Sequence, residues 1–353
     1  MDIPYKKLDG KKVLITGGAG FIGSALIRRL LLNTQAKIIN LDKLGYCSDL
    51  SSIDNLNEQI KIKKRYKFFK VDLSNESATF DILNAIKPDF VFHLAAESHV
   101  DNSINNPKLF IESNILGTFN LLQACLDIYK KKSITERNNF RFHHISTDEV
   151  FGTLGESGFF NENSNYDPRS PYSASKASSD HLVKAWHHTY ELPIVITNCS
   201  NNFGPWQYPE KLIPLVIHNA LQWKEIPIYG DGSNVRDWLY IEDHINGILL
   251  VALKGEIGTN YCIGGNGELT NLKLVEIICD YLDDVVPKES SFRELITFVK
   301  DRRGHDFRYC IDASLIRDKL NWKPEYKLST SMKKTFLWYV KNQKWCANIL
   351  KKK

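Results

Sequence analysis

Lys12-Val13-Leu14-Ile15-Thr16-Gly17-Gly18-Ala19-Gly20-Phe21-Ile22-Gly23 decides the fold. Its first five residues are a short apolar run that reads as a buried strand. The glycines follow at once as G-x-x-G-x-x-G, and Phe21, Ile22, Ala25, Leu26 and Leu30 then recur at helical spacing. Strand, glycine turn and helix in this order permit a tight turn, close approach of backbone N–H groups to a pyrophosphate, and close packing of helix on strand. The motif alone could be a βα turn without a ligand, but its flanking strand and helix favour a dinucleotide.

Working outward, Lys37-Ile38-Ile39-Asn40-Leu41 reads as a second strand ending at Asp42, spaced to accept hydrogen bonds from an adenosine ribose. A carboxylate there would repel a 2′-phosphate, so NAD is favoured over NADP, with the neighbouring Lys43 weighing the other way. Tyr66 to Val71 forms a third strand, and Asp72 after it either caps the next helix or bonds the adenine. Phe90-Val91-Phe92-His93-Leu94-Ala95-Ala96 is nearly continuous in apolar character, as a parallel sheet covered on both faces requires, and its small alanines leave room for a ligand. Glu97-Ser98-His99-Val100-Asp101 superficially resembles a metal site, but no second group of ligands lies at metal spacing, so no metal is expected.

A further strand, Phe140-Arg141-Phe142-His143-His144-Ile145, delivers Ser146, Thr147, Asp148 and Glu149 at its carboxyl end, where open α/β sheets bind ligands. Tyr172 and Lys176 are four residues apart, on one face of a helix. Residues 152–170, rich in Gly, Asn, Ser and Pro, read as a loop over this site. Beyond the strand ending at Cys199 the β-α rhythm loosens, and Lys211, Arg236 and Arg302 stand in short polar motifs. Each is suited to diphosphate, and each alone reads equally well as a surface cation.

The expected fold is therefore α/β: a Rossmann-type doubly wound parallel sheet with a smaller mixed α/β C-terminal substrate lobe. Residues 1–197 with about 236–262 would bind NAD, residues 198–235 and 263–345 the substrate, and 346–353 would be a basic tail. A helix pattern from Pro107 to Tyr129 and the helix carrying Tyr172 offer apolar surface beyond what one sheet needs, which predicts a homodimer through residues 111–122 and 175–190.

The 353 residues carry 43% apolar and 25% charged side chains, ordinary values for a soluble globular protein. No apolar run approaches the roughly 20 residues of a membrane span, and residues 1–12 lack a secretory signal, so a cytoplasmic, non-membrane protein is expected. Seven scattered cysteines form neither a disulfide framework nor a zinc motif. The net charge of +5, with basic clusters at residues 61–67 and 351–353, joins no nucleic-acid-binding motif and reads as solvated surface.

Taken together these residues resemble the extended short-chain dehydrogenase/reductase superfamily and, within it, the nucleoside-diphosphate-glucose 4,6-dehydratases. The glycine motif and the Tyr172/Lys176 pair belong to the superfamily. Thr147-Asp148-Glu149, the run from Ala95 to Asp101, and Arg302-x-Gly304-His305-Asp306 point to the dehydratases, because related 4-epimerases lack the paired carboxylates. The chain departs from the family pattern at Phe151 and Phe203, where tyrosine is usual, and at Asn102, where arginine is frequent.

The resemblance implies the following assignments. Gly17, Gly20, Phe21, Ile22, Gly23, Asp42, Lys43, Asp72, Leu73, Ala95, Tyr172 and Lys176 bind NAD. Tyr172 is the base for the glucose 4-hydroxyl, its pKa lowered by Lys176 and the nicotinamide charge, and Thr147 holds that oxygen. Asp148 protonates the leaving 6-hydroxyl and Glu149 removes the C5 proton. Ser98, Asn201, Asn202, Lys211, Arg236, Asn271, Arg302 and His305 line the nucleotide-sugar site, for either dTDP-glucose or UDP-glucose. The implied product is a 4-keto-6-deoxy sugar, a precursor of 6-deoxyhexoses such as rhamnose. Chemically, oxidation at C4 makes the C5 hydrogen acidic, and water can then leave across C5–C6 with one carboxyl neutral and its neighbour ionised. An isolated Asp-Glu pair would read as caps or surface ion pairs, but its setting favours catalysis. An epimerase or decarboxylase on the same fold, or a catalytically silent NAD-binding scaffold, stays open at this level.

Overall fold

Each apolar run that precedes a glycine or acidic turn becomes a parallel strand in the computed structural model, which describes residues 2–57, 64–286 and 288–351. Residues 61–63 of the first basic cluster and the last two lysines lie outside the described residues. In chain order the strands are β1 (Lys12–Thr16), β2 (Lys37–Asp42), β3 (Tyr66–Lys70), β4 (Phe90–His93), β5 (Arg141–Thr147), β6 (Ile194–Cys199), β7 (Asn201–Phe203), β8 (Ile226–Tyr229), β9 (Val235–Tyr240), β10 (Asn260–Ile263), β11 (Glu268–Thr270) and β12 (Ile296–Val299).

Seven of them form one sheet in the order β10-β6-β5-β4-β1-β2-β3, with every pairing parallel. The chain runs outward from β1 through β2 and β3, then returns to the other side of β1 with β4. The cleft at the carboxyl ends of β1 and β4 is thus the topological switch point where this architecture binds ligands. Period-two alternation builds a core on each face: Val13, Ile15, Phe92 and Val195 pack on one side, Leu14, Val91, Phe142 and Ile194 on the other.

The smaller lobe holds a three-stranded sheet, β11-β9-β7, and the parallel pair β12-β8. The return segment expected from about residue 236 starts inside that small sheet as β9 and rejoins the large sheet only at β10. Between them the helix Ile241–Lys254 is buried over most of its length, and Arg29 of the helix Phe21–Asn33 bonds its Glu242 and, at 2.6 Å, its Asn246.

Three local features differ from the sequence expectation. Pro107–Lys131 is by length and composition a helix that could cross a membrane, contrary to the absence of such a run inferred above. It is a layer of the fold, with 56% of its most apolar window buried and one face on the core beneath the large sheet. The same helix contains a π-helical turn, Ile111–Leu116. The segment expected as a basic tail is helical through Leu350, because Cys346 and Ile349 are buried and Trp345 packs edge-on against Trp206 and Trp338.

Candidate active site

One continuous cleft runs from the glycine turn to the carboxyl end of β5. At its first end Gly17 has φ +71°, and a Cβ there would lie 2.6 Å from the Ala95 amide nitrogen. A Cβ on Gly23 would come within 2.3 Å of the Gly17 carbonyl oxygen, so helix and turn could not meet. Gly20 caps the helix Phe21–Asn33 without any side-chain bond, and Gly20, Phe21, Ile22 and Gly23 all line the cleft. That is an uncapped helix N-terminus open to a diphosphate.

Asp42, at the end of β2, also lines the cleft and accepts from the Ala19 amide at 3.0 Å, the Leu44 amide at 2.8 Å and the Ser48 hydroxyl at 3.0 Å. It therefore fixes the glycine turn from the wall of the cleft. Lys43 pairs with Glu97 at 2.7 Å and donates to Ser113 at 2.7 Å, so its charge is already matched within the protein. Asp72, Leu73 and Ala95 line the same wall. Asp72 does not cap the next helix. Asn75 does, accepting from Ala78 at 3.0 Å, while Asp72 holds Ser74. The residues present fit a dinucleotide with an unphosphorylated adenosine ribose.

At the other end β5 delivers Thr147, Asp148 and Glu149 into the cleft opposite Tyr172 and Lys176. The helix Pro171–Tyr190 that carries the last two starts with Pro171 in its first turn and a reciprocal Ser170/Ser173 capping box, which fixes its origin four residues before Ala174. Lys176 donates to the Ile145 carbonyl at 2.9 Å. Thr147 donates to the Asp148 carboxyl at 3.2 Å, and its hydroxyl acts to lower the Tyr172 pKa against the larger effect of burial.

The two carboxyls are set apart electrostatically. Burial first, and then Glu149 and Asp237, push the Asp148 pKa well above the usual range. Burial also raises Glu149, but Arg302, Arg236 and Lys211 oppose it and favour its ionised form. Tyr172 differs from the expectation: burial and the Glu149 charge hold its phenol well above the ordinary value. Lys176 is lowered by burial and held up by Asp180.

Of the residues assigned to the sugar nucleotide, Ser98, Asn201, Asn202 and Lys211 line the cleft. Arg236, Asn271, Arg302 and His305 do not line it. Arg236 is buried, donates to the carbonyls of Asp306 and Phe307, and lies 4.4 Å from the Tyr309 ring centroid. Arg302 is 4.0 Å from Asp101, and His305 pairs with Asp301 at 2.6 Å, its pKa lowered to about 4 by burial and Arg302. Asn271 starts a helix, its amide bonded to the Asn234 carbonyl at 2.9 Å. Arg236 and Arg302 nonetheless act on Glu149 across the wall.

Several cleft residues were not anticipated: Cys47, Ser48, Gln207, Tyr208 and Glu210 line it, and Tyr46 donates to Glu210 at 2.7 Å. Asn114, in the π-turn, is a hidden brace. Its side chain accepts from the Glu97 amide at 2.8 Å and donates to the Glu97 carbonyl at 3.0 Å and the Ser175 hydroxyl at 2.8 Å. A lone asparagine in an apolar helix carried no signal of this. Among the described residues no His, Cys, Asp or Glu grouping could hold a metal ion.

Comparison with known proteins places this geometry in context. A family model described as GDP-mannose 4,6 dehydratase matches residues 14–335. The dTDP-glucose 4,6-dehydratase of Salmonella typhimurium is 50% identical over 347 residues, covering 96% of this chain and 95% of that protein. Among solved structures, DesIV, a dTDP-glucose 4,6-dehydratase from Streptomyces venezuelae with NAD bound, superposes with a TM-score of 0.87 at 38% identity, over 96% of this chain and 99% of that one. A UDP-glucuronic acid 4-epimerase from Bacillus cereus, with NAD and UDP-glucuronic acid, gives 0.80 at 29% identity over 94% and 99%.

Proposed function

This chain belongs to the family of nucleoside-diphosphate-sugar 4,6-dehydratases, and from that premise we propose that it is a hydro-lyase converting dTDP-glucose to the 4-keto-6-deoxy sugar with NAD as its cofactor. When bound, NAD supplies a two-electron acceptor for the C4 hydrogen, its later return to C6, and a positive ring charge near Tyr172. The glycine turn, Asp42, Asp72, Leu73 and Ala95 hold it.

The observation that carries the reading is the pair of adjacent carboxyls in unequal surroundings, both raised by burial but only Glu149 countered by a group of cations. Asp148 is kept neutral by burial and by its neighbours' negative charge, so it has a proton to give to the departing 6-hydroxyl. Glu149 faces Arg302, Arg236 and Lys211, so it is the better base for the C5 proton. Thr147 orients the 4-oxygen and Tyr172 takes its proton, with the Lys176 ammonium stabilising the phenolate. Ser98, Asn201, Asn202 and Lys211 grip the sugar nucleotide from within the cleft, with Arg236 and Arg302 supplying positive charge for the diphosphate and Asn271 and His305, a neutral ring near pH 7, completing the substrate set. An epimerase needs the tyrosine and lysine but has no use for an acid and a base at C5–C6, and the higher identity is to the dehydratases.

The enzyme is assigned to the cytoplasm, to the supply of 6-deoxyhexoses such as rhamnose, and to a homodimer. The dimer face is formed by Ile111, Leu116, Phe119 and Tyr190, all exposed, on the helices Pro107–Lys131 and Pro171–Tyr190. The test of function is incubation of purified protein with dTDP-glucose and, separately, UDP-glucose. Loss of water with a 4-keto product absorbing in alkali, faster for dTDP-glucose, is expected; a product that keeps all its oxygens would overturn the reading.

A further inference from the structure

The helix that carries Tyr172 and Lys176 presents a third functional group one turn further on, Asp180, which is fully buried. Its Oδ2 accepts from the Tyr166 hydroxyl at 2.8 Å, the Ser146 hydroxyl at 2.9 Å and the Asn198 amide at 3.3 Å, and its Oδ1 lies 3.1 Å from His144 Nε2. These partners surround the Lys176 site. His144 and Ser146 flank Ile145 on β5, the residue whose carbonyl receives the Lys176 ammonium. Asn198, on β6, also donates to the Thr147 carbonyl at 2.9 Å. Tyr166 belongs to the segment before the Tyr172 helix, its ring edge-on to Phe151.

A carboxylate sealed in the core is retained only if opposite charge and donors compensate it. The groups acting on Lys176 or acted on by it are Asp180 on its own helix, Cys199 on β6, His144 on β5 and His93 on β4. Burial keeps both histidines neutral near pH 7 and pushes the Cys199 thiol up to about 12. Asp180 is therefore the anion acting on Lys176 among the described residues.

We propose that Asp180 is a positioning residue for the oxidation step: it holds the Lys176 ammonium charged in the core and, through Ser146 and His144, fixes the strand that receives it. The proposal rests on the reading of Lys176 as the partner of Tyr172. A buried ammonium without its counter-charge gives up its proton, and Tyr172 then loses its stabilising neighbour.

The experiment compares wild type, Asp180→Asn, Asp180→Glu, Lys176→Met and the Asp180→Asn/Lys176→Met double variant, by pH profiles of kcat and KM for dTDP-glucose. Asp180→Asn should move the alkaline limb of kcat down by about one pH unit or more and lower kcat about ten- to hundredfold, with KM within about threefold. Asp180→Glu should recover part of the limb. The double variant should be no slower than Lys176→Met, because the two residues act as one unit. If Asp180→Asn fails to fold, the double variant should fold, since it leaves no lone buried cation. An Asp180→Asn protein with the wild-type profile, or a double variant additive in its losses or unable to fold, would overturn the proposal. Lys176→Met with wild-type kcat would instead refute the underlying role of Lys176, and Asp180's role with it.

Discussion

Asp148 and Glu149 are chain neighbours and burial raises both, yet Glu149 alone faces three cations that oppose the rise, while Asp148 is raised further by the Glu149 and Asp237 charges, and this difference is a property of partners rather than of residue type. Asp148 is 2% exposed and lies beside the Glu149 and Asp237 charges, which together outweigh the Thr147 hydroxyl it accepts from, so it keeps its proton where an ordinary aspartate would not. Its replacement should separate two steps that the wild type runs together. Asp148→Asn should leave C4 oxidation intact and slow water loss by about 10²- to 10⁴-fold, the range for a positioned acid, so that reduced cofactor accumulates in a single turnover followed by absorbance. Glu149→Gln should instead suppress exchange of the C5 hydrogen with deuterated solvent, read by mass spectrometry. An Asp148→Asn enzyme that dehydrates at the wild-type rate would assign the proton to another group. That Thr147, Asp148, Glu149, Tyr172 and Lys176 share one cleft was readable as a strand end plus a tyrosine and lysine four apart. The direction of the Tyr172 pKa was not, because burial and the Glu149 charge set it and neither is visible in the spacing.

At the scale of elements, the strands were legible because a doubly covered parallel sheet demands unbroken apolar runs, and β4 and β6 are buried at every position. The glycine turn was legible because its spacing is dictated by sterics, as the 2.3 Å approach to a Cβ on Gly23 makes plain. The orientation of Arg236 was not, since it depends on the Asp306 and Phe307 carbonyls some seventy residues away. The π-turn was equally hidden. It lets the Asn114 carbonyl accept from both Thr118 and Ser179, at 2.5 and 2.7 Å, while the side chain satisfies Glu97. Asn114→Ala would leave the buried Glu97 N–H and C=O without those partners, at a cost of about 1–3 kcal/mol for each group. We expect an unfolding free energy lower by about 2–4 kcal/mol in urea titration with the slope unchanged. A loss under about 0.5 kcal/mol would mean that the brace is dispensable.

For the whole molecule, acid sensitivity follows from histidines locked in the core. His244 is fully buried with its pKa lowered to about 3 by desolvation. An unfolded chain protonates that ring below about pH 6.5 while the folded one does not, so the stability present above that pH is lost as pH falls towards 3. Asp243, held up at about 6, titrates with or without the histidine and cancels in a comparison. His244→Leu should therefore gain about 2 kcal/mol on wild type between pH 7.5 and pH 5, measured by denaturant unfolding at each pH. A difference independent of pH would show that the ring titrates in the fold as it does in the unfolded chain. The account's central claim is an internal oxidation and reduction around the loss of water. It is tested most directly by dTDP-glucose carrying deuterium at C4, incubated in ordinary water and read by mass spectrometry and NMR. The account predicts a product lighter by one water, with the deuterium now on C6. A product of unchanged composition with deuterium still at C4, or a dehydrated product from which the label has been lost to solvent, would contradict it.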